Sequence, residues 1–211
     1  MAENTDLWQI ERDLTEQGIG IICGCDEAGA GPLAGPVYAA AVILPPYCQI
    51  EGLNDSKKLT EKKREALYEV ITQKAVCWAA AWVEAAEIDA TDILSARMKA
   101  MQQAMDALTI QPEIALIDGN RDKGRSAAIT TPHKLVVGGD GKSASIAAAS
   151  ILAKVSRDRF VAGELDERYP QYQFAKHKGY ATKLHYEMLG KFGPCPEHRR
   201  SFLKKWEEKR I

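Results

Sequence analysis

The ten residues from Glu27 to Pro36, Glu-Ala-Gly-Ala-Gly-Pro-Leu-Ala-Gly-Pro, constrain this chain more than any other stretch. Prolines at 32 and 36 cannot continue a helix, and glycines at 29, 31 and 35 admit the positive φ of a tight connection. Apolar runs flank the segment, Ile21 to Asp26 before it and Val37 to Leu44 after it, the second closed by Pro45-Pro46. Such runs, bounded by glycine and proline, read as strands. Any fold must therefore build a sheet around two strands joined by a tight loop.

The rest of the chain alternates helical and strand patterns. Trp8 to Gln17 reads as a short amphipathic helix. Thr60 is an N-cap for a helix through Ala75, with Leu67, Val70 and Ile71 at helical spacing. Val76 to Val83 is strand-like. Thr91 opens a helix with Ile93, Leu94, Met98, Met101, Met105 and Leu108 on one stripe. Short strands follow at Ile114–Ile117, ending in Asp118-Gly119, and at Lys134–Val137, ending in Gly138-Gly139-Asp140-Gly141. A long helix from Ser143 to Leu165 carries Ala147, Ala148, Ala149, Ser150 and Ala153, small side chains that let it lie close to a neighbour. Basic helices at Ala181–Phe192 and Glu197–Arg210 complete the chain. Strands interleaved with helices imply an α/β fold, read as one domain over 1–211 with its core at about 18–170 and a helical C-terminal part at 171–211.

The 211 residues suffice for a core without disulfides. With 45% hydrophobic and 27% charged residues, disordered and collagen-like classes are excluded. The longest apolar run, Val37 to Leu44, falls far short of the ~20 residues of a membrane span, and the N-terminus lacks a secretory pattern. The expectation is a soluble, cytoplasmic monomer with no membrane partner. Cys23, Cys25, Cys48, Cys77 and Cys195 follow no disulfide or zinc spacing and read as reduced thiols. Net charge is −1, yet the stretch from Phe174 to Ile211 carries ten Lys/Arg against four Glu. That asymmetry suits a polyanionic partner and equally suits an ordinary solvated helix surface.

The chemistry gathers at strand ends. Asp26-Glu27, Asp118 and Asp140 each follow an apolar run and precede glycine, at the place where open α/β sheets collect their sites. Converging carboxylates repel unless a cation neutralises them, and all-oxygen ligation suits Mg2+ or Mn2+. Neighbouring residues of a regular strand face opposite ways, so for Asp26 and Glu27 to share a site the strand should end or bulge there. Each Asp-Gly is also an ordinary turn. These residues alone leave open a metal-dependent nuclease, a phosphatase, or a set of turns.

Five blocks in order carry a resemblance. Gly24-Cys-Asp-Glu-Ala-Gly-Ala-Gly-Pro-Leu-Ala-Gly-Pro-Val37, Asn54-Asp-Ser-Lys-Lys-Leu59, Ile117-Asp-Gly-Asn120, Gly139-Asp-Gly-Lys-Ser143 with Ile146 to Asp158, and His177-Lys-Gly-Tyr180 through His185 resemble ribonuclease HII over about residues 20 to 200. The resemblance implies a ribonuclease H-like mixed five-stranded sheet flanked by helices, with a helical C-terminal extension. It implies hydrolysis of RNA in RNA–DNA hybrids and incision 5′ of single ribonucleotides in duplex DNA, leaving a 3′-hydroxyl and a 5′-phosphate. Asp26, Glu27, Asp118 and Asp140 would hold two Mg2+ or Mn2+ ions and be the catalytic acids. The short N-terminus and Asp140 as fourth acid fit type HII better than the related type HIII.

By the same resemblance, Gly29-Ala30-Gly31 would grip the ribonucleotide, Lys57 would contact phosphate, and Tyr180 would pack on the following sugar. The family has arginine where this chain has Ala30; the glycines are kept and the guanidinium is lost, which implies weakened substrate binding. Lys176, Lys178, Lys183, Lys191, Arg199 and Arg200 are candidates to follow duplex phosphates. Asp158 reads as a salt-bridging helix residue, and Phe202 and Trp206 as core anchors. His177, His185 and His198 are too scattered along the chain for a zinc site. A non-catalytic hybrid-binding protein and a DNA-acting integrase or resolvase are the competing readings; metal-dependent cleavage and an all-DNA control separate them.

Overall fold

The computed structural model describes residues 6–54, 56 and 59–208. Strands β1 (Ile22–Ala28), β2 (Val37–Ile43), β3 (Cys77–Val83), β4 (Ile114–Asp118) and β5 (His133–Val136) form one mixed sheet in the order β3-β2-β1-β4-β5. The tight loop makes β1 and β2 antiparallel, and β3 pairs antiparallel with β2. β4 runs parallel to both β1 and β5. A parallel neighbour needs a long connection, and α3 (Ala85–Ala90) and α4 (Ile93–Asp106) supply it between β3 and β4.

Strand alternation sorts the core into two faces. Cys23, Cys25, Ala39, Ala41 and Ile117 pack against Met98, Met101 and Met105 of α4. Ala28, Ala40 and Val42 meet Ala148, Ala149 and Leu152 of α5 (Ala144–Phe160), with Leu67 and Ile71 of α2 (Glu61–Lys74) behind. The small residues of α5 do what their sequence suggests: the helix lies so close to β1 that a Cβ on Gly24 would overlap the Ser145 backbone. Ser143 caps α5 by accepting from the Ile146 N–H. Buried Glu11 of α1 (Gln9–Glu16) adds a second cap, its Oε1 accepting from Ser143 Oγ at 2.6 Å and Ser145 N at 3.0 Å.

The long helix widens into a π-helical turn at Val161–Leu165 before α6 (Asp166–Arg168). Beyond it come α7 (Phe174–His177), α8 (Lys183–Phe192) and α9 (Arg200–Glu208). The last helix starts three residues later than its sequence pattern suggests. Asp89 of α3 accepts from the N–H groups of Arg200 at 2.6 Å and Ser201 at 3.0 Å, a cap supplied from across the fold. Phe202 and Trp206 pack on the small cluster of Leu33, Leu189 and Leu203. All five cysteines are free.

β1 departs from expectation at the decisive place. It neither ends nor bulges at Asp26; it pairs regularly with β2 through Asp26↔Ala40, Glu27↔Ala39 and Ala28↔Tyr38. Its pairing with β4 stops earlier, at Cys25↔Ile117. The edge therefore opens on the β4 side alone, and the two acids keep opposite faces.

Gly24→Ala should lose about 3 kcal/mol or more of unfolding free energy, because α5 cannot retreat from β1 without repacking both faces. Gly190→Ala, in α8 with open space around it, should be neutral or stabilise by up to about 1 kcal/mol. Urea denaturation of the two variants checks the contrast.

Candidate active site

One step beyond the last β1–β4 pair, Asp26 and Asp118 fall side by side on neighbouring parallel strands, about 5 Å apart in backbone terms. Both lie on the α5 face. They line a cleft of about 220 Å³ at the strand ends, together with Glu27, Gly29, Ala30 and Tyr180. Ser150 and Lys154 of α5 also line it. A larger groove of about 620 Å³ beside α2 contains none of the four acids.

Each acid is held by its own surroundings. Asp26 Oδ1 accepts from the Glu27 N–H at 2.7 Å. Asp118 Oδ1 accepts from the Gly139 N–H at 2.6 Å. Gly139 belongs to the short 3-10 turn Gly139–Gly141, so Asp118 grips the turn that carries the buried Asp140. A Cβ on Gly139 would come within 2.5 Å of the Ile146 Cδ1, so a larger residue would force that side chain to shift. Asp140 itself stands outside the cleft lining. Glu27, on the opposite face of β1, meets Arg97 of α4 at 2.6 Å.

Among the described residues no group of three acidic, histidine or cysteine side chains is arranged to hold a metal ion as it stands. The donors nonetheless suit a hard divalent cation: they are all oxygens, and Glu27 Oε2 is buried with no hydrogen-bond partner. A buried anionic oxygen left unpaired is costly unless something positive comes to it.

The glycine loop is strapped from beneath by two buried guanidinium groups that the sequence did not single out for this role. Arg199 donates to the carbonyls of Gly29 (2.8 Å), Ala30 (2.9 Å) and Gly35 (2.8 Å). Arg157 donates to Ala34 (3.2 Å), Pro36 (3.0 Å) and Lys178 (3.1 Å). Arg157 also fills the space where a Cβ on Gly29 (φ +86°) would sit. Arg199 is therefore not a phosphate contact, contrary to the reading of the basic tail: it is fully buried, whereas its neighbour Arg200 is exposed. Charge counting cannot tell the two apart; only the burial of the loop against α9 does. Asp158 pairs within its helix as expected, with Lys154 at 2.8 Å.

Tyr180 stands at the cleft mouth, 38% exposed, with Lys154 5.3 Å and Arg157 5.7 Å from its ring centre. Three histidines far apart in sequence meet behind it. The Cys195 N–H donates to His198 Nδ1 at 3.0 Å, so His198 carries its proton on Nε2, which faces His185 Nε2 at 2.9 Å. His185 Nδ1 then donates to the Tyr180 carbonyl at 2.9 Å. His177 stacks on His185 with ring centres 4.3 Å apart and accepts from the Gly179 N–H. The histidines are thus gathered rather than scattered, and their ring nitrogens are spent on one another and on backbone. Lys57 lies outside the described residues.

A family profile described as Ribonuclease HII matches residues 23–207. The chain belongs to the ribonuclease HII family. It is 57% identical over 182 residues to the ribonuclease HII of Idiomarina loihiensis, covering 86% of this chain and 95% of that protein. It is 48% identical over 204 residues to that of Caldicellulosiruptor bescii, covering 97% of each. The crystal structure of the ribonuclease H2 from Pyrococcus horikoshii superposes with a TM-score of 0.71 at 25% identity, over 90% of this chain and 98% of that one. The enzyme is accordingly a metal-dependent endoribonuclease that hydrolyses RNA in RNA–DNA hybrids, with the mixed five-stranded ribonuclease H-like sheet. Among the described residues no helix is long and apolar enough to cross a membrane.

Burial lowers His185 to about 4 and His198 to about 3, and lowers His177 as well. The unfolded chain takes up protons below pH 6.5 that the folded core refuses, so the stability these residues allow is complete above about pH 6.5 and falls with added acid towards pH 4. Unfolding free energy should drop by about 2–4 kcal/mol between pH 7 and pH 5. Urea titrations at both values measure it; equal stabilities would contradict the neutral histidine chain.

Proposed function

We propose that this cleft hydrolyses the phosphodiester on the 5′ side of a single ribonucleotide embedded in duplex DNA, besides the RNA strand of hybrids, and leaves a 3′-hydroxyl and a 5′-phosphate. The observation that carries the reading is the sharing of one cleft by Asp26, Glu27 and Asp118 with the Gly29–Ala30 backbone and the Tyr180 ring. Asp26, Glu27, Asp118 and Asp140 would hold two divalent cations, Mg2+ or Mn2+, whose chemistry is to activate water and stabilise the leaving oxygen.

The chain's own residues do the rest. Arg199 and Arg157 fix the Gly29–Gly31 backbone where it can meet a ribose 2′-hydroxyl, a group that both donates and accepts. Tyr180 offers a flat surface to the next sugar, and its fixed position beside Gly179 favours a deoxyribose there. Lys176, Lys183, Lys191 and Arg200 remain as solvent-facing cations that would follow the duplex backbone. We read 171–211 as the substrate-binding part of one catalytic unit, a monomer working in the cytoplasm.

Asp26→Asn and Asp118→Asn should each abolish cleavage of a labelled duplex containing one ribonucleotide while circular dichroism stays native, since amides are poor ligands for hard cations. Chelator should abolish cleavage by the parent enzyme, and an all-DNA duplex should remain intact. Persistent turnover in either variant would remove the acids from the mechanism. Ala30→Arg should tighten substrate binding about tenfold or more, the worth of one charged hydrogen bond of about 1.5–3 kcal/mol. Unchanged KM and incision rate in Ala30→Arg would show that the missing guanidinium is immaterial.

A further inference from the structure

Arg97 has no assigned role in the chemistry proposed for the cleft, yet it makes a close charged contact with one of the acids. It projects from α4 onto the face of β1 that bears Glu27, and its Nη2 lies 2.6 Å from Glu27 Oε1. The pair is largely out of water, with 27% and 14% of the two side chains exposed. It is also half made: Glu27 Oε2 and Arg97 Nε are both buried without a hydrogen-bond partner. A guanidinium and a carboxylate normally satisfy each other through two parallel bonds. Here one oxygen of the acid and one donor of the base are left over.

The other cations of the cleft are committed elsewhere. Lys154 pairs with Asp158 at 2.8 Å, and Arg64 donates to the carbonyls of Ser56 and Leu59. Arg157 and Arg199 are spent on the glycine loop. Arg97 is the cation that pairs with Glu27.

We propose that Arg97 is a resident counter-cation of the metal site: it neutralises Glu27 before a divalent ion arrives, must give up that oxygen when one does, and so sets the divalent concentration at which the enzyme turns on. The proposal rests on the reading of Glu27 as a metal ligand. Two effects act in the same direction. An ion claiming both oxygens of Glu27 has to break the Arg97 bond, and a fixed guanidinium beside the site repels a second positive charge. Arg97 thereby lowers metal affinity while it keeps the acid cluster from destabilising the fold. The buried Nε, released together with Nη2, is then free to meet an anion.

The test is Mn2+ binding to the enzyme without substrate, followed by calorimetry and by the Mn2+-induced rise in thermal midpoint. Arg97→Met, which keeps the length and removes the charge, should bind Mn2+ about fivefold tighter or more and show a larger thermal rise. Arg97→Lys should stay near the parent, and Arg97→Gln provides a second neutral variant should the methionine fail to fold. In a Glu27→Gln background the gain from Arg97→Met should shrink to the part due to charge repulsion alone, since the bond between the two residues is then already lost. Neutral variants that bind Mn2+ no tighter than the parent, or a gain undiminished without the Glu27 carboxylate, would overturn the proposal. A parent enzyme with no saturable Mn2+ binding that Asp26→Asn abolishes would instead overturn the metal-site reading itself.

Discussion

Parallel pairing between β1 and β4 is the constraint on which the rest depends. The two strands are buried on both faces, and their register, Gly24↔Leu116 and Cys25↔Ile117, brings Asp26 and Asp118 to neighbouring strand ends on one face. That register is held by packing rather than by the acids. Gly24 lets α5 press against the sheet, and Cys25 and Ile117 interlock with the α4 methionines. Two like charges placed this close repel, and the apolar core below them supplies the force that keeps them there.

The second requirement is a rigid backbone at the cleft wall. Two buried arginines achieve it by donating to six loop and turn carbonyls between them. A buried charge is tolerable when its hydrogen bonds are all made. The consequence for function is that the 29–36 loop and the 178–180 turn move as one piece, because Arg157 holds both. The histidine chain behind Tyr180 extends the same logic, converting three ionisable side chains into neutral spacers.

Much of this was legible in the sequence. The strands around Glu27–Pro36, the methionine stripe of α4 and the small-residue stripe of α5 follow directly from periodicity and side-chain size. The resemblance supplied the acids, and the structure brings Asp26, Glu27 and Asp118 to one cleft and Asp140 to the adjoining turn. What stayed hidden depends on long-range contacts. Nothing local distinguishes buried Arg199 from exposed Arg200, or marks Asp89 as the cap of a helix more than a hundred residues away. The regular continuation of β1 past Asp26 was also illegible, because it depends on the alanines of β2 offering a partner that local alternation cannot foresee. α4 carries two cations, Arg97 and Lys99, and only the contact with Glu27 across the fold sets Arg97 apart.

The facing of Asp26 and Glu27 to opposite sides of one strand means that a cation site here must wrap around the strand end rather than sit on one face. Arg97 on the α4 side and the Asp118–Gly139 contact on the α5 side are then two edges of a single electrostatic basin. Anomalous diffraction from a Mn2+-soaked crystal tests this account most directly. The account predicts Mn2+ bound at about 2 Å from carboxylate oxygens of Asp26 and Asp118, with Glu27 turned away from Arg97. Mn2+ bound elsewhere in an active enzyme, with the Glu27–Arg97 pair intact, would contradict it.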